Sequence, residues 1–206
     1  MATAAISFET TIVPAIHEAG HAVVAAYLRC PFTHVTIRCR TLNGTEAGGY
    51  LRHKESGVHD LSYNRKTGSF RLKTDEEIQA ELKRQYRNRA LVAVGARAAV
   101  DEILGRNCRD NIEDSYGPDE VDLKAITELL EIASEFEEWR AQILEEARSV
   151  VRLPFVRDAI SDIAADLQIA LIKGRGLSAK RVRDVLKACK TAYDERIGIS
   201  TKNRAI

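Results

Sequence analysis

The 206-residue chain contains no apolar stretch longer than the seven residues Ala22–Leu28, far short of the roughly 20 that cross a bilayer. Its first positive charge is Arg29, so the opening segment lacks the basic region of a signal peptide. Charge of one sign is not in excess: 31 Lys and Arg against 30 Asp and Glu leave a formal +1, which removes the electrostatic case for a nucleic-acid binder. The four cysteines, Cys30, Cys39, Cys108 and Cys189, form no C-x-x-C pair, and a disulfide framework would need them closer together in a shorter chain. Internal repeats and low-complexity linkers are absent as well. These absences point to a soluble, non-secreted, cytoplasmic protein with no membrane span and no nucleic-acid partner, long enough to bury a core without staples.

Hydrophobic periodicity predicts a mainly helical (α+β) chain with one small β-hairpin or sheet. A helix is expected from about Thr11 to Arg29, because Ile16, Ala19, Val23 and Tyr27 recur at helical spacing, with Pro14 in its first turn and Pro31 beyond its end. Alternation in His34–Arg40 and the short run Gly48–Arg52 predict two strands joined by a turn near Leu42-Asn43-Gly44. Residues 54–73 form an excursion or an extra hairpin. Thr74-Asp75-Glu76-Glu77 is a capping box for a helix to about Leu104. Gly117-Pro118-Asp119-Glu120 starts another, running towards Arg152 with a break near Ser134–Glu138. Pro154 opens a further helix, Ser178 caps the last one to about Tyr193, and the tail after Gly198 is expected to fray.

The chemistry-bearing motif is His17-Glu18-Ala19-Gly20-His21. Residues i and i+4 stack on one helix face, so both imidazoles can reach one metal ion. Neutral imidazole suits zinc, and Glu18 beside the pair is placed to take a proton from a metal-bound water as general base. The bland alternative is a surface helix with two histidines and an ion pair. A catalytic zinc commonly has three protein ligands. Candidates for the third by residue type are His34, His53 and His59, and among carboxylates Asp119, Glu120 and Asp122 in the first turns of a new helix. Spacing alone does not choose between them.

At this point the sequence resembles a known family. His17–Val24 (HEAGHAVV), preceded by Ala15-Ile16, is similar to the peptidase domain of FtsH-type membrane AAA proteases. Val35-Thr36-Ile37 and Gly48-Gly49-Tyr50 resemble its strand pair, and Leu91–Gly105 its G-G-R-A-A-E-E-L-x-x-G helix, although Val100-Asp101 stands where the family has paired glutamates. Val121-Asp122-Leu123-Lys124-Ala125 resembles its N-D-L-x-x-A segment. The helices from Trp139 to Leu186 resemble its C-terminal part.

The resemblance implies a single zinc peptidase domain over 1–206, divided into a zinc-binding part (1–133), a helical part (134–195) and a flexible tail (196–206). It implies zinc held by His17, His21 and Asp122, with Glu18 as catalytic base. Gly48, Gly49 and Tyr50 would bind substrate as an edge strand by β-addition, the alternative being an ordinary hairpin strand with glycines at a bulge. No G-x-x-x-x-G-K-[ST] motif occurs, so the expected enzyme is a metalloendopeptidase without ATPase activity of its own. It would cleave peptides, flexible segments or unfolded chains, with a separate ATPase feeding it and a homo-oligomer as further partners. The alternative is a catalytically silent peptide-binding or assembly module. The basic clusters at Lys83–Arg89 and Lys180–Lys190 read as solvated helix faces, and Trp139 and Phe155 as core or interface residues.

Overall fold

The computed structural model describes residues 8–39, 47–53, 61–64, 69–105 and 117–198. In chain order the elements are α1 (Phe8–Tyr27), β1 (Phe32–Cys39), β2 (Ala47–His53), β3 (Leu61–Asn64), β4 (Ser69–Leu72), α2 (Asp75–Ile103), α3 (Gly117–Leu129), α4 (Phe136–Val151), α5 (Pro154–Ile172), β5 (Leu177–Ser178) and α6 (Ala179–Arg196). A 3₁₀ turn, Ala133–Glu135, leads into α4. The described residues are mainly helical with a small antiparallel sheet, in agreement with the sequence. The turn expected at Leu42–Gly44 and the tail beyond Gly198 lie outside them.

Every residue from Ala15 to Ala26 is buried, and a helix without a solvent face belongs at the centre of a fold. Helix α1 accordingly packs against α2, α5, α6, β1 and β2. It begins at Phe8, earlier than expected, which leaves Pro14 inside the helix. The missing N–H forfeits the bond to the Thr10 carbonyl. Tertiary contacts hold the first turns instead, among them a buried bond from Gln168 Nε2 of α5 to Thr11 Oγ1 at 2.9 Å. At the other end Arg29 adopts φ 60° and the Cys30 N–H bonds the Ala25 carbonyl at 2.8 Å. That left-handed residue, followed by Pro31, terminates the helix.

Helices α1 and α2 cross almost in backbone contact. A Cβ on Gly20 would lie 2.7 Å from Ala99 Cβ and 2.8 Å from the Gly95 carbonyl oxygen, so only glycine fits. The second half of α2, Ala90 to Asp101, is buried except for the partly exposed Arg97, whereas its first half is largely exposed. Its start carries the capping box expected of Thr74 and Glu77. Asp101 is buried with its side chain 1% exposed, and Arg148 of α4 donates to it at 2.7 Å. Asp101 is therefore a buried tie between α2 and α4.

The sheet has the order β2-β1-β5 and is antiparallel throughout. Val35 pairs with Leu51 and Ile37 with Gly49, with a register shift between Phe32 and His34. Strand β5, which the sequence did not suggest, adds Leu177 and Ser178 to the far side of β1. Ser178 also caps α6 by accepting from the Arg181 N–H at 3.2 Å. Strands β3 and β4 form the extra hairpin within 54–73. Between α3 and α4 the chain breaks slightly before the expected place, around Glu131 at φ 60°.

Candidate metal centre

Helical geometry brings His17 and His21 together as the motif requires. Their ring centroids are 4.8 Å apart and their planes nearly perpendicular, at 89°. Both residues are 7% exposed. From the first turns of α3, Asp119 turns Oδ2 towards the pair, 3.6 Å from His17 Nε2 and 3.5 Å from His21 Nε2. The ligand atoms of all three lie within 4.8 Å of one another. Donors about 2.0–2.1 Å from a tetrahedral ion sit roughly 3.3 Å apart, so the Asp119–histidine separations fit an ion better than a direct hydrogen bond.

The tautomer needed for ligation is built in. His21 Nδ1 lies 2.7 Å from the Val92 carbonyl oxygen of α2, in a buried contact. A carbonyl only accepts, so Nδ1 carries the hydrogen and, in the neutral ring, the Nε2 lone pair faces Asp119 and His17. Burial, with help from the charge of His21, pushes His17 down to about 3 against the attraction of Asp119. Burial would lower His21 too, but the neighbouring Asp119 carboxylate, the charge of Glu18 and the Val92 carbonyl outweigh it and carry His21 up to about 9. Without metal, the surroundings thus favour a proton on His21 over one on His17.

Glu18 is 4% exposed and lies against β2. A Cβ on Gly49 would come within 2.4 Å of Glu18 Cγ and 2.7 Å of its Cδ, and within 2.4 Å of the Thr36 carbonyl oxygen. Glycine at this position lets the strand and the acid occupy adjacent space. Gly48 pairs with Arg38 in the ladder. Tyr50 is 40% exposed and points to the face opposite Gly49, since successive residues of a strand alternate. There its hydroxyl meets His34 Nε2 at 3.3 Å. Strand β2 ends the sheet order, so its outer edge has no strand partner among the described residues.

The structure does not bring Asp122 to the histidines. Its side chain is 48% exposed, with Oδ2 3.6 Å from Arg89 Nη2. Three residues along a helix rotate a side chain by about 60° and raise it by about 4.5 Å. With Asp119 at the histidines, Asp122 faces the rim instead. The carboxylate brought to the pair is Asp119, one of those the spacing left open. Of the other candidates, His34 is engaged with Tyr50, His59 lies outside the described residues and nothing is described of the Glu120 side chain. His53, at the end of β2, is lowered by burial and by the charges of His21 and Arg89, against Asp122. It therefore sits at the rim but does not join the three-residue group.

Among the described residues, His17, His21 and Asp119 form a group that could hold a metal ion. Sequence alone gave no signal for the Val92 carbonyl as the partner of His21 or for Gly49 as the floor beneath Glu18, because both contacts join segments distant along the chain. Comparison with protein-family models, curated proteins and solved structures finds no match to this chain.

Proposed function

We propose that the chain is a zinc-dependent endopeptidase that hydrolyses unfolded or flexible polypeptide. The observation that carries this reading is the convergence of His17, His21 and Asp119 with Glu18 adjacent on the same helix and buried beside strand β2. Two imidazoles and one carboxylate are a donor set suited to zinc with an open position. Bound there, zinc would supply Lewis acidity, acidifying water and polarising a carbonyl.

The chain's own residues do the rest. Val92 holds His21 with Nε2 available. Glu18 takes a proton from the attacking water on its carboxylate and returns it to the leaving amine nitrogen. The outer edge of β2, from Gly48 to Tyr50, which has no strand partner among the described residues, would offer main-chain bonding to an extended peptide with little dependence on side chains. An enzyme with no nucleotide-binding motif in this chain would act on segments that need no unfolding, or receive them from a separate ATPase. A cytoplasmic setting belongs to the same reading. Among the described residues no helix is long and apolar enough to cross a membrane.

The test is Glu18→Gln, which keeps the size of the side chain and removes the base. We expect turnover of an unstructured peptide to be lost while zinc stoichiometry stays at one per chain. Hydrolysis at the native rate in this variant would remove the assignment. The edge strand alone would also serve a silent peptide-binding module, and peptide capture without turnover over a broad panel would favour that reading.

A further inference from the structure

Beside Asp119, residues of helices α2, α3 and α4 line a partly open pocket of about 20 Å³, room for one water molecule. Ala93, Leu123 and Leu144 form its apolar walls, and its polar lining is Arg97, Arg140 and Asp119. One acidic and two arginine residues from three helices thus line the same small pocket. Arginine keeps its charge in any protein environment and presents its donors as a rigid fork.

A carboxylate has two oxygens and about four acceptor positions. Oδ2 of Asp119 is buried and faces both histidines. The helix fixes the Cβ of Asp119 but leaves its rotamer free, and a ligating carboxylate holds its aim when donors occupy its remaining lone pairs. Arg140 also donates to Glu137 on its own helix, at 3.0 Å. Arg97 has its Nε buried and follows Val92 by five residues on α2. The segment Val92–Arg97 therefore touches the centre through the Val92 carbonyl on His21 and lines, with Arg97, the pocket that Asp119 also lines.

We infer that Arg97 is a positioning residue for Asp119. Through a water in the pocket that both residues line, its guanidinium engages the carboxylate and fixes the rotamer that aims Oδ2 at both Nε2 atoms. One segment of α2 then sets two of the three ligands. Arg140 lines the pocket from α4. This inference rests on the metal-centre reading, and its test keeps the two apart.

Zinc affinity is measured by competition with a chromophoric chelator for the native chain, Arg97→Met, Asp119→Asn and the double variant. Arg97→Met is expected to weaken zinc about 10- to 100-fold in the native background and to cost nothing further beside Asp119→Asn. Equal losses in both backgrounds, or no loss in the native one, overturn the inference. Arg97→Lys keeps stem and charge but not the fork. It carries the same comparison if Arg97→Met does not fold, with a severalfold loss expected in the native background and none beside Asp119→Asn.

With metal removed, the thermal midpoints of the same four proteins read the coupling without zinc. Losses that fail to add support the pairing, and additive losses overturn it. A chain that binds no zinc but shows the coupling loses the metal reading and retains Arg97 on Asp119. Zinc bound at native strength in Arg97→Met, with additive midpoints, removes Arg97 and leaves the metal centre standing.

Discussion

Two residues make the centre sensitive to small changes. Gly49 admits no side chain, because a Cβ would lie 2.4 Å from both Glu18 Cγ and the Thr36 carbonyl oxygen. The carbonyl belongs to the β1 backbone, so Glu18 is the group that yields. Gly49→Ala is expected to cost about 1–3 kcal/mol of stability and about 100-fold in turnover through a displaced base, with zinc content unchanged. Denaturant unfolding, metal analysis and peptide hydrolysis check the three parts. On the proposed reading, His21 would make zinc binding pH-dependent. Its pKa, raised from 6.5 to about 9, places a proton where the ion must go, while His17, lowered to about 3, has none to lose at neutral pH. Zinc uptake at pH 7 should release about one proton, measurable by calorimetry in buffers of different ionisation enthalpy. Affinity should rise about tenfold per pH unit up to about pH 9, where that competition ends. For the metal-free fold the signs oppose. The His21 proton stabilises fully below pH 6.5 and that contribution is lost as pH rises through about 9, whereas His17 withdraws stability as pH falls from 6.5 towards 3.

Among the elements, α2 and α4 are joined by ion pairs of unequal weight. Asp101 and Arg148 are 1% and 12% exposed, and removing one partner strands the other's charge in the interior. Asp101→Asn should destabilise the chain by about 3–5 kcal/mol. The exposed pair Arg87–Glu146 joins the same two helices, and Arg87→Ala should cost no more than about 1 kcal/mol. Chemical denaturation of the two variants side by side checks the contrast. What the sequence disclosed at this scale follows the range of the interaction. The capping box at Thr74, the proline at the start of α5 and the cap at Ser178 act within one helical turn, and all three are found where their residues stand. The start of α1 escaped because Pro14 argues locally for the first turn of a helix, while the contact from Gln168 to Thr11 that secures the earlier turns spans 157 positions. Strand β5 escaped because two residues carry no period, and only pairing with β1 defines them. Asp119 and Asp122 were equivalent by type and by position in a first turn. The choice between them depends on how α3 lies on α2, which no local pattern encodes.

For the whole molecule, metal is expected to act on folding as well as chemistry. The donors come from the first helix and from α3, and an unfolded chain does not hold them together. At free zinc 100 times the Kd the gain is about 2.7 kcal/mol, equivalent to roughly 5–11 °C of thermal midpoint for a domain of this size. Scanning calorimetry before and after chelation measures it, and a midpoint indifferent to zinc would speak against the centre. Asp119 follows His17 by 102 positions, so an ion between them ties off half of the chain as a closed loop. Among its described side chains, α3 buries Leu123, Ile126 and Thr127 where it approaches α2 and α4. A helix held by so small a set of described contacts is expected to open more readily than α1, and an ion bound at Asp119 would act as a latch on it. Loading should therefore register as slowed amide exchange across α3, far from any scissile bond and without a substrate in hand.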